Sequence, residues 1–187
     1  MRTYSPHVYL GFVLLLNIFN FIDRNLLIAF APQIKLDFNL TNVEWGLLTG
    51  VYFLFFYSVF GIFMGVLGDK FNRMKIAAAG VFLWSLMTAF TGIAKNFAHL
   101  IVARALIGVG ESALTPNSIS MLSDVYNQNK RGTASAIYYL GIPLGVGLAM
   151  LIASIFGPMF GWRAVFISLG LIGVVLAIIT YFLIEPI

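Results

Sequence analysis

The chain contains no cysteine, only two histidines and only 10% charged residues among its 187 positions. The missing cysteines exclude disulfides, thiolate metal ligands and cysteine nucleophiles, and leave the redox compartment unmarked. His7 and His99 fall near the edges of apolar stretches, far from the four charges Asp23, Arg24, Arg104 and Glu111. No metal-ligand cluster is present and no nucleophile stands beside a base, which argues against an enzyme, and no cofactor is expected. A net charge of +4 from scattered basic residues offers no face for nucleic acid. What the chain has in abundance is apolar surface. Hydrophobic residues make up 60% of it and its mean hydropathy is +0.96, values outside the range of soluble globular domains. No small-residue cleavage site follows the first apolar stretch, so that stretch reads as a retained membrane span.

Six spans are expected, at about residues 8–34, 45–67, 76–94, 97–122, 132–156 and 164–184, each long enough to cross a bilayer. The chain from 1 to 187 is therefore read as one six-helix bundle. Arg2, Lys70, Arg73, Lys75, Lys130 and Arg131 fall on one side of the membrane, and Lys35, Lys95 and Arg163 on the other. The positive-inside rule then puts both termini in the cytoplasm, of a bacterial inner membrane or an organellar one.

Against this apolar background the charges inside the spans stand out. Arg104, Gly108, Glu111 and Thr115 form one stripe of the fourth span, and the first span holds Asn17, Asn20, Asp23 and Arg24. A charge at mid-membrane costs roughly 2.5–3.5 kcal/mol on insertion scales, so each needs a partner or water. With the first helix running outward and the fourth inward at about 1.5 Å per residue, the Asp23–Arg24 pair lies in depth between Arg104 and Glu111. Asp23 is expected near Arg104, and Arg24 near Glu111. Two uses fit such a neutral four-charge cluster: a static ion-pair network that fixes helix packing, or a proton or substrate site. Asn17, Asn20 and Thr115 are expected to line an adjoining cavity.

Helices 1 and 4 each open a triplet of spans and each carries charge in its middle. Glycine-containing turns at Gly65 to Arg73 and at Gly157 to Arg163 occupy matching places on opposite sides. This is the pattern of an inverted three-plus-three repeat in an all-α membrane protein. Gly141 and Gly145, which flank Pro143, suit close helix contact in the fifth span. Phe53, Phe55 and Phe56 read as lipid-facing or packing residues, and Glu44 as a helix-start charge.

Three motifs carry a family resemblance. Gly65-x-x-Gly68-Asp69-Lys70-x-x-Arg73, Arg104-x-x-x-Gly108-x-Gly110 and Gly161-Trp162-Arg163 together resemble the loop 2–3, helix 4 and helix 6 signatures in the amino-terminal half of major facilitator superfamily transporters. Asn20-Phe21-Ile22-Asp23-Arg24-Asn25, Gly108-Val109-Gly110-Glu111-Ser112 with Pro116, and Leu140-Gly141-Ile142-Pro143-Leu144-Gly145 resemble the Spinster-like branch. The resemblance implies secondary transport by alternating access between two six-helix bundles. It implies proton coupling at Asp23, Arg24 and Glu111, and coupling or substrate contact at Arg104. It also implies a small-molecule cargo, a lysolipid, sphingoid phosphate or other amphipathic anion. Gly65, Asp69, Arg73 and Asp124 would form a cytoplasmic latch in which Arg73 pairs with Asp124. Asn72 stands where the family usually has glycine, and Met74 where it has a basic residue. A partner six-helix unit is expected, further along the same polypeptide or as a second subunit. The competing class is a membrane accessory or scaffold protein that does not transport, for which titratable midplane charges serve no purpose.

Overall fold

The computed structural model describes residues 5–183, and every regular element among them is helical. Arg2 and the expected end of the sixth span at Ile184 lie outside the described residues. Helix α1 (Pro6–Ala29) starts on a proline, where the missing N–H breaks no helical bond. It stops short of the expected residue 34 because Pro32 has no N–H to offer the Ile28 carbonyl. A short α2 (Ala31–Asp37) follows. Asn39, at φ 51°, turns the chain. Thr41 and Glu44 then close a reciprocal capping box at the start of α3 (Asn42–Gly46). Glu44 is used up in that cap.

A π-helical turn at Leu47–Val51 joins α3 to α4 (Tyr52–Lys70), and the three form one 29-residue rod. Asn72 accepts a 2.9 Å hydrogen bond from the Lys75 N–H and caps α5 (Arg73–Gly92). With φ at −60°, this position needs no glycine, and an asparagine serves the helix better. The fourth rod is α6 (Phe97–Glu111) and α7 (Leu114–Val125). Pro116 cannot donate to the Ser112 carbonyl, so the rod breaks at Ser112 and Ala113. Side chains cover carbonyls at the break: Ser112 Oγ donates to Val109 O at 2.7 Å and Asn117 Nδ2 to Ala113 O at 2.7 Å.

Helices α8 (Gln128–Tyr139) and α9 (Gly141–Phe182) make a 55-residue stretch. At about 1.5 Å per residue this is roughly 80 Å, more than twice a bilayer core of about 30 Å. It bends at Gly161, whose φ of 78° and ψ of 159° only glycine adopts freely. The five long rods therefore cross the membrane six times.

The crossings meet at close glycine contacts, one of which sets Gly80 of the third against Gly110 of the fourth and three of which join other crossings. A Cβ on Gly145 of the fifth crossing would stand 2.6 Å from the Ile18 carbonyl of the first. One on Gly108 of the fourth would stand 2.8 Å from the Phe53 carbonyl of the second, and one on Gly170 of the sixth 2.6 Å from the Ser85 carbonyl of the third. First with fifth, fourth with second and third with sixth is the set of contacts that exchanging the two triplets maps onto itself. These three contacts thus have the symmetry of the inverted repeat. Each pair meets backbone to backbone through a small residue, as membrane helices do where no hydrophobic effect drives them together. At the end opposite the Asp69 hairpin, Arg163 donates to the carbonyls of Ala94 (2.7 Å) and Gly92 (3.3 Å), and Trp162 Nε1 donates to Asp37 (2.9 Å). These bonds tie the turns of that end together.

Gly170→Val is expected to lower stability by about 1–3 kcal/mol, the usual penalty for overpacking. Gly11→Ala, with nothing within 4 Å of the added carbon, should stay within about 0.5 kcal/mol. Thermal unfolding in detergent compares the two.

Candidate functional site

The break after Glu111 sets the electrostatics of the interior. Glu111 is the last residue of α6, at the negative end of that helix's dipole, and its residue is 1% exposed. A carboxylate there is unfavourable without a cation. Arg24 of α1 supplies one: Nη2 donates to Glu111 Oε2 at 2.6 Å and Nε to the same oxygen at 3.0 Å. Oε1 of Glu111 has no hydrogen-bond partner.

Phe53 of α4 lies within cation–π distance of both arginines. The Arg24 guanidinium carbon is 4.7 Å from its ring centre and that of Arg104 is 4.5 Å away. Phe21 and Tyr57 lie 4.9 Å from Arg24, and Tyr57 stacks on Phe53. Cation–π contacts of this kind contribute about 0.5–1 kcal/mol when exposed and about 2 or more when desolvated. Phe53 is 2% exposed, whereas Phe55, two residues on, is 60% exposed. Among the phenylalanines read as lipid-facing or packing, Phe53 is the buried ring that holds both cations.

Asp23 and Arg104 border the same narrow cavity with Leu27, Leu48, Thr91, Leu100, Ile107 and Phe166. No ion pair joins them. Asp23 Oδ2 instead meets the Thr88 hydroxyl of α5 at 2.7 Å, while Asp23 Oδ1 and Arg104 Nε have no hydrogen-bond partner. Asn17 donates to the Tyr138 carbonyl at 2.8 Å and packs under Gly141, joining α1 to the α8–α9 junction. Asn20 is buried with its Nδ2 unpartnered, and Thr115 is half-buried, 3.3 Å from the Tyr138 hydroxyl.

At the hairpin end, Arg73 Nη1 meets Asp124 at 2.5 Å and Ser120 Oγ at 2.8 Å. Asp69 is exposed. In the hairpin the crowded glycine is Gly68, against Asn117 and Arg73, while Gly65 has nothing within 4 Å. Neither Phe53 nor Thr88 stood out in the sequence. Thr88 had a signal, because Ser85, Thr88 and Thr91 recur every three residues on an apolar helix. Phe53 had none among 18 phenylalanines.

Residues 13–187 match the Major Facilitator Superfamily profile. The chain belongs to that superfamily. It is 35% identical over 157 residues to the sphingosine-1-phosphate transporter SPNS2 of Danio rerio, covering 83% of this chain and 31% of the relative. With protein spinster of Drosophila melanogaster it is 34% identical over 138 residues, 74% of this chain and 23% of the relative. With a probable L-galactonate transporter of Escherichia coli (strain K12) it is 29% identical over 166 residues, 89% and 36%. In three dimensions it superposes on the crystal structure of a bacterial homologue of the human lysosomal transporter Spinster, in an inward-facing and unoccupied conformation. The TM-score is 0.88 at 31% identity, over 100% of this chain and 45% of that one. The chain thus spans about a quarter to a third of the length of these curated relatives and just under half of the solved one. The superfamily's members are transporters rather than enzymes, and this chain is an integral, multi-pass membrane protein.

Phe53→Leu, which removes the ring beneath both guanidinium groups, is expected to lower stability by about 2 kcal/mol. Phe55→Leu on the exposed side of the same helix should change it by less than about 0.5 kcal/mol. Denaturant unfolding in mixed micelles reads both.

Proposed function

We propose that this chain is the amino-terminal six-helix half of a proton-coupled secondary transporter that works by alternating access, with a small amphipathic anion as cargo. The observation that carries the reading is the ion pair between Arg24 and the fully buried Glu111, beside a second arginine, Arg104, whose Nε has no partner. A carboxylate that holds an arginine can take a proton and release it. The freed guanidinium changes which arrangement of helices is favoured, because α1 and α6 are then no longer tied. Arg104 is the cation available to an anionic headgroup. Two relatives support an anionic cargo: one is a sphingosine-1-phosphate transporter, and another is a probable L-galactonate transporter.

Asp23, Arg24, Arg104 and Glu111 are assigned to coupling and cargo, and Asn17, Asn20 and Thr115 to the adjoining cavity wall. The basic residues of the hairpin support a topology with both termini in the cytoplasm. There Gly65, Asp69, Arg73 and Asp124 form a latch. The exposed Asp69 would face a helix start in the partner six-helix unit, where an anion is favoured.

The test is uptake of lysophosphatidylglycerol into proteoliposomes carrying the complete transporter, with and without an imposed pH gradient. Glu111→Gln is expected to reduce the gradient-driven component by about ten-fold, the equivalent of one pK unit of lost coupling, with the protein still folded. An unchanged pH response would overturn the coupling assignment.

A further inference from the structure

Thr88 is 1% exposed, and its hydroxyl touches two oxygens: Asp23 Oδ2 at 2.7 Å and the Trp84 carbonyl at 2.9 Å. A hydroxyl carries one hydrogen. If Asp23 is ionised, both neighbours are acceptors and one of the two contacts goes without a proton. If Asp23 carries a proton, both are complete: Asp23 O–H donates to Thr88 Oγ1, and Thr88 O–H donates to Trp84 O. Bonding back to the carbonyl four residues earlier is ordinary for a helical threonine, and Thr49, Thr91 and Thr180 do it as well. Thr88 differs from them in having a carboxylate on its other side.

The surroundings of Asp23 fit a group that changes protonation. Arg24 faces it from its own helix, and Arg104 and Glu111 from α6. Helix α5 presents Thr88 and Thr91, while the turn before α4 and the sixth crossing present only Leu48 and Phe166. The unpartnered Asp23 Oδ1 and Arg104 Nε border a cavity of about 10 Å³, about the room that one water molecule requires.

We propose that the Thr88 hydroxyl is a positioning group that follows the protonation of Asp23, its single hydrogen lying on Trp84 O when Asp23 is protonated and turning to Asp23 Oδ2 when it is not. The step balances without a further reactant. The Asp23 O–H bond breaks, the proton leaves to water entering the small cavity, and the electron pair stays on Asp23. Thr88 rotates about its Cβ–Oγ bond with no bond made or broken within it. The hydrogen bond between the first and third crossings persists in both states but reverses direction. The inference rests on the proton-coupled reading above and adds to it a residue outside the four charges.

The experiment is pH-difference infrared spectroscopy of the full chain in lipid nanodiscs, reading the carbonyl stretch of protonated carboxyl groups. Subtraction of Asp23→Asn isolates the Asp23 band. Thr88→Val keeps the shape and removes the hydroxyl. It is expected to raise the band's frequency and to move its midpoint upward by about one pH unit, a ten-fold change in proton affinity, because the ionised form loses the stronger, charge-assisted bond. Thr88→Ser should restore both. A band and midpoint unmoved in Thr88→Val, a serine variant that behaves like valine, or no band removed by Asp23→Asn would each overturn the proposal. The unmoved band together with a lost uptake response in Glu111→Gln would overturn it while leaving the coupling reading standing. A Thr88-dependent band in a protein whose uptake ignores pH would support it and overturn that reading.

Discussion

A carboxylate at the wrong end of a helix dipole, deep in an apolar bundle, is the constraint on which the interior depends. Glu111 can be charged there only because Arg24 reaches it from another helix. Arg24, whose side chain stays 23% exposed, meets the Glu111 carboxylate and the faces of Phe21, Phe53 and Tyr57. Desolvating two ions costs several kcal/mol each, and their attraction offsets this only with good geometry. Two donor nitrogens on one carboxylate oxygen and the Phe53 ring supply that geometry. Such a pair adds little net stability compared with an apolar core, but losing one partner leaves a charge stranded. That asymmetry is what lets a single proton matter.

The rest of the fold brings these groups within reach. Glycines let backbones approach at several helix contacts, and three of these obey the internal two-fold relation of the repeat. Gly108 is one of them, three residues from Glu111, and it sets α6 directly against the backbone of Phe53. Close packing and the charged site are therefore linked: the glycine that seats the fourth crossing on the second lies one turn from Arg104, whose guanidinium shares the Phe53 ring with Arg24 of the first crossing. Pro116, by breaking the rod just past Glu111, ends α6 at that acid.

Six crossings and the charged stripe were legible in the sequence because charges are rare in long apolar runs. Depth arithmetic along two oppositely directed helices was enough to bring Arg24 towards Glu111. It was not enough for Asp23, which shares a cavity with Arg104 but bonds to Thr88, since a hydroxyl is as good a neighbour as a cation and leaves no charge pattern to read. Phe53 and Phe55 are identical as letters. Phe53 lies against Gly108 and is buried, while Phe55 is exposed. Helix ends were set by single residues whose effect is local: Pro32 shortens the first span, and Thr41 with Glu44 starts the second early. The asparagine at position 72, a departure from the family pattern, is explained by the cap that it makes on α5.

The most direct test of the central pair is a double-mutant cycle of unfolding free energy in detergent over Arg24→Gln, Glu111→Gln and the double variant. If the two charges depend on each other, each single change costs about 3–5 kcal/mol, and the double variant costs clearly less than their sum, with a coupling above about 1.5 kcal/mol. Additive losses would contradict it, and would mean that each group is held by its surroundings rather than by the other.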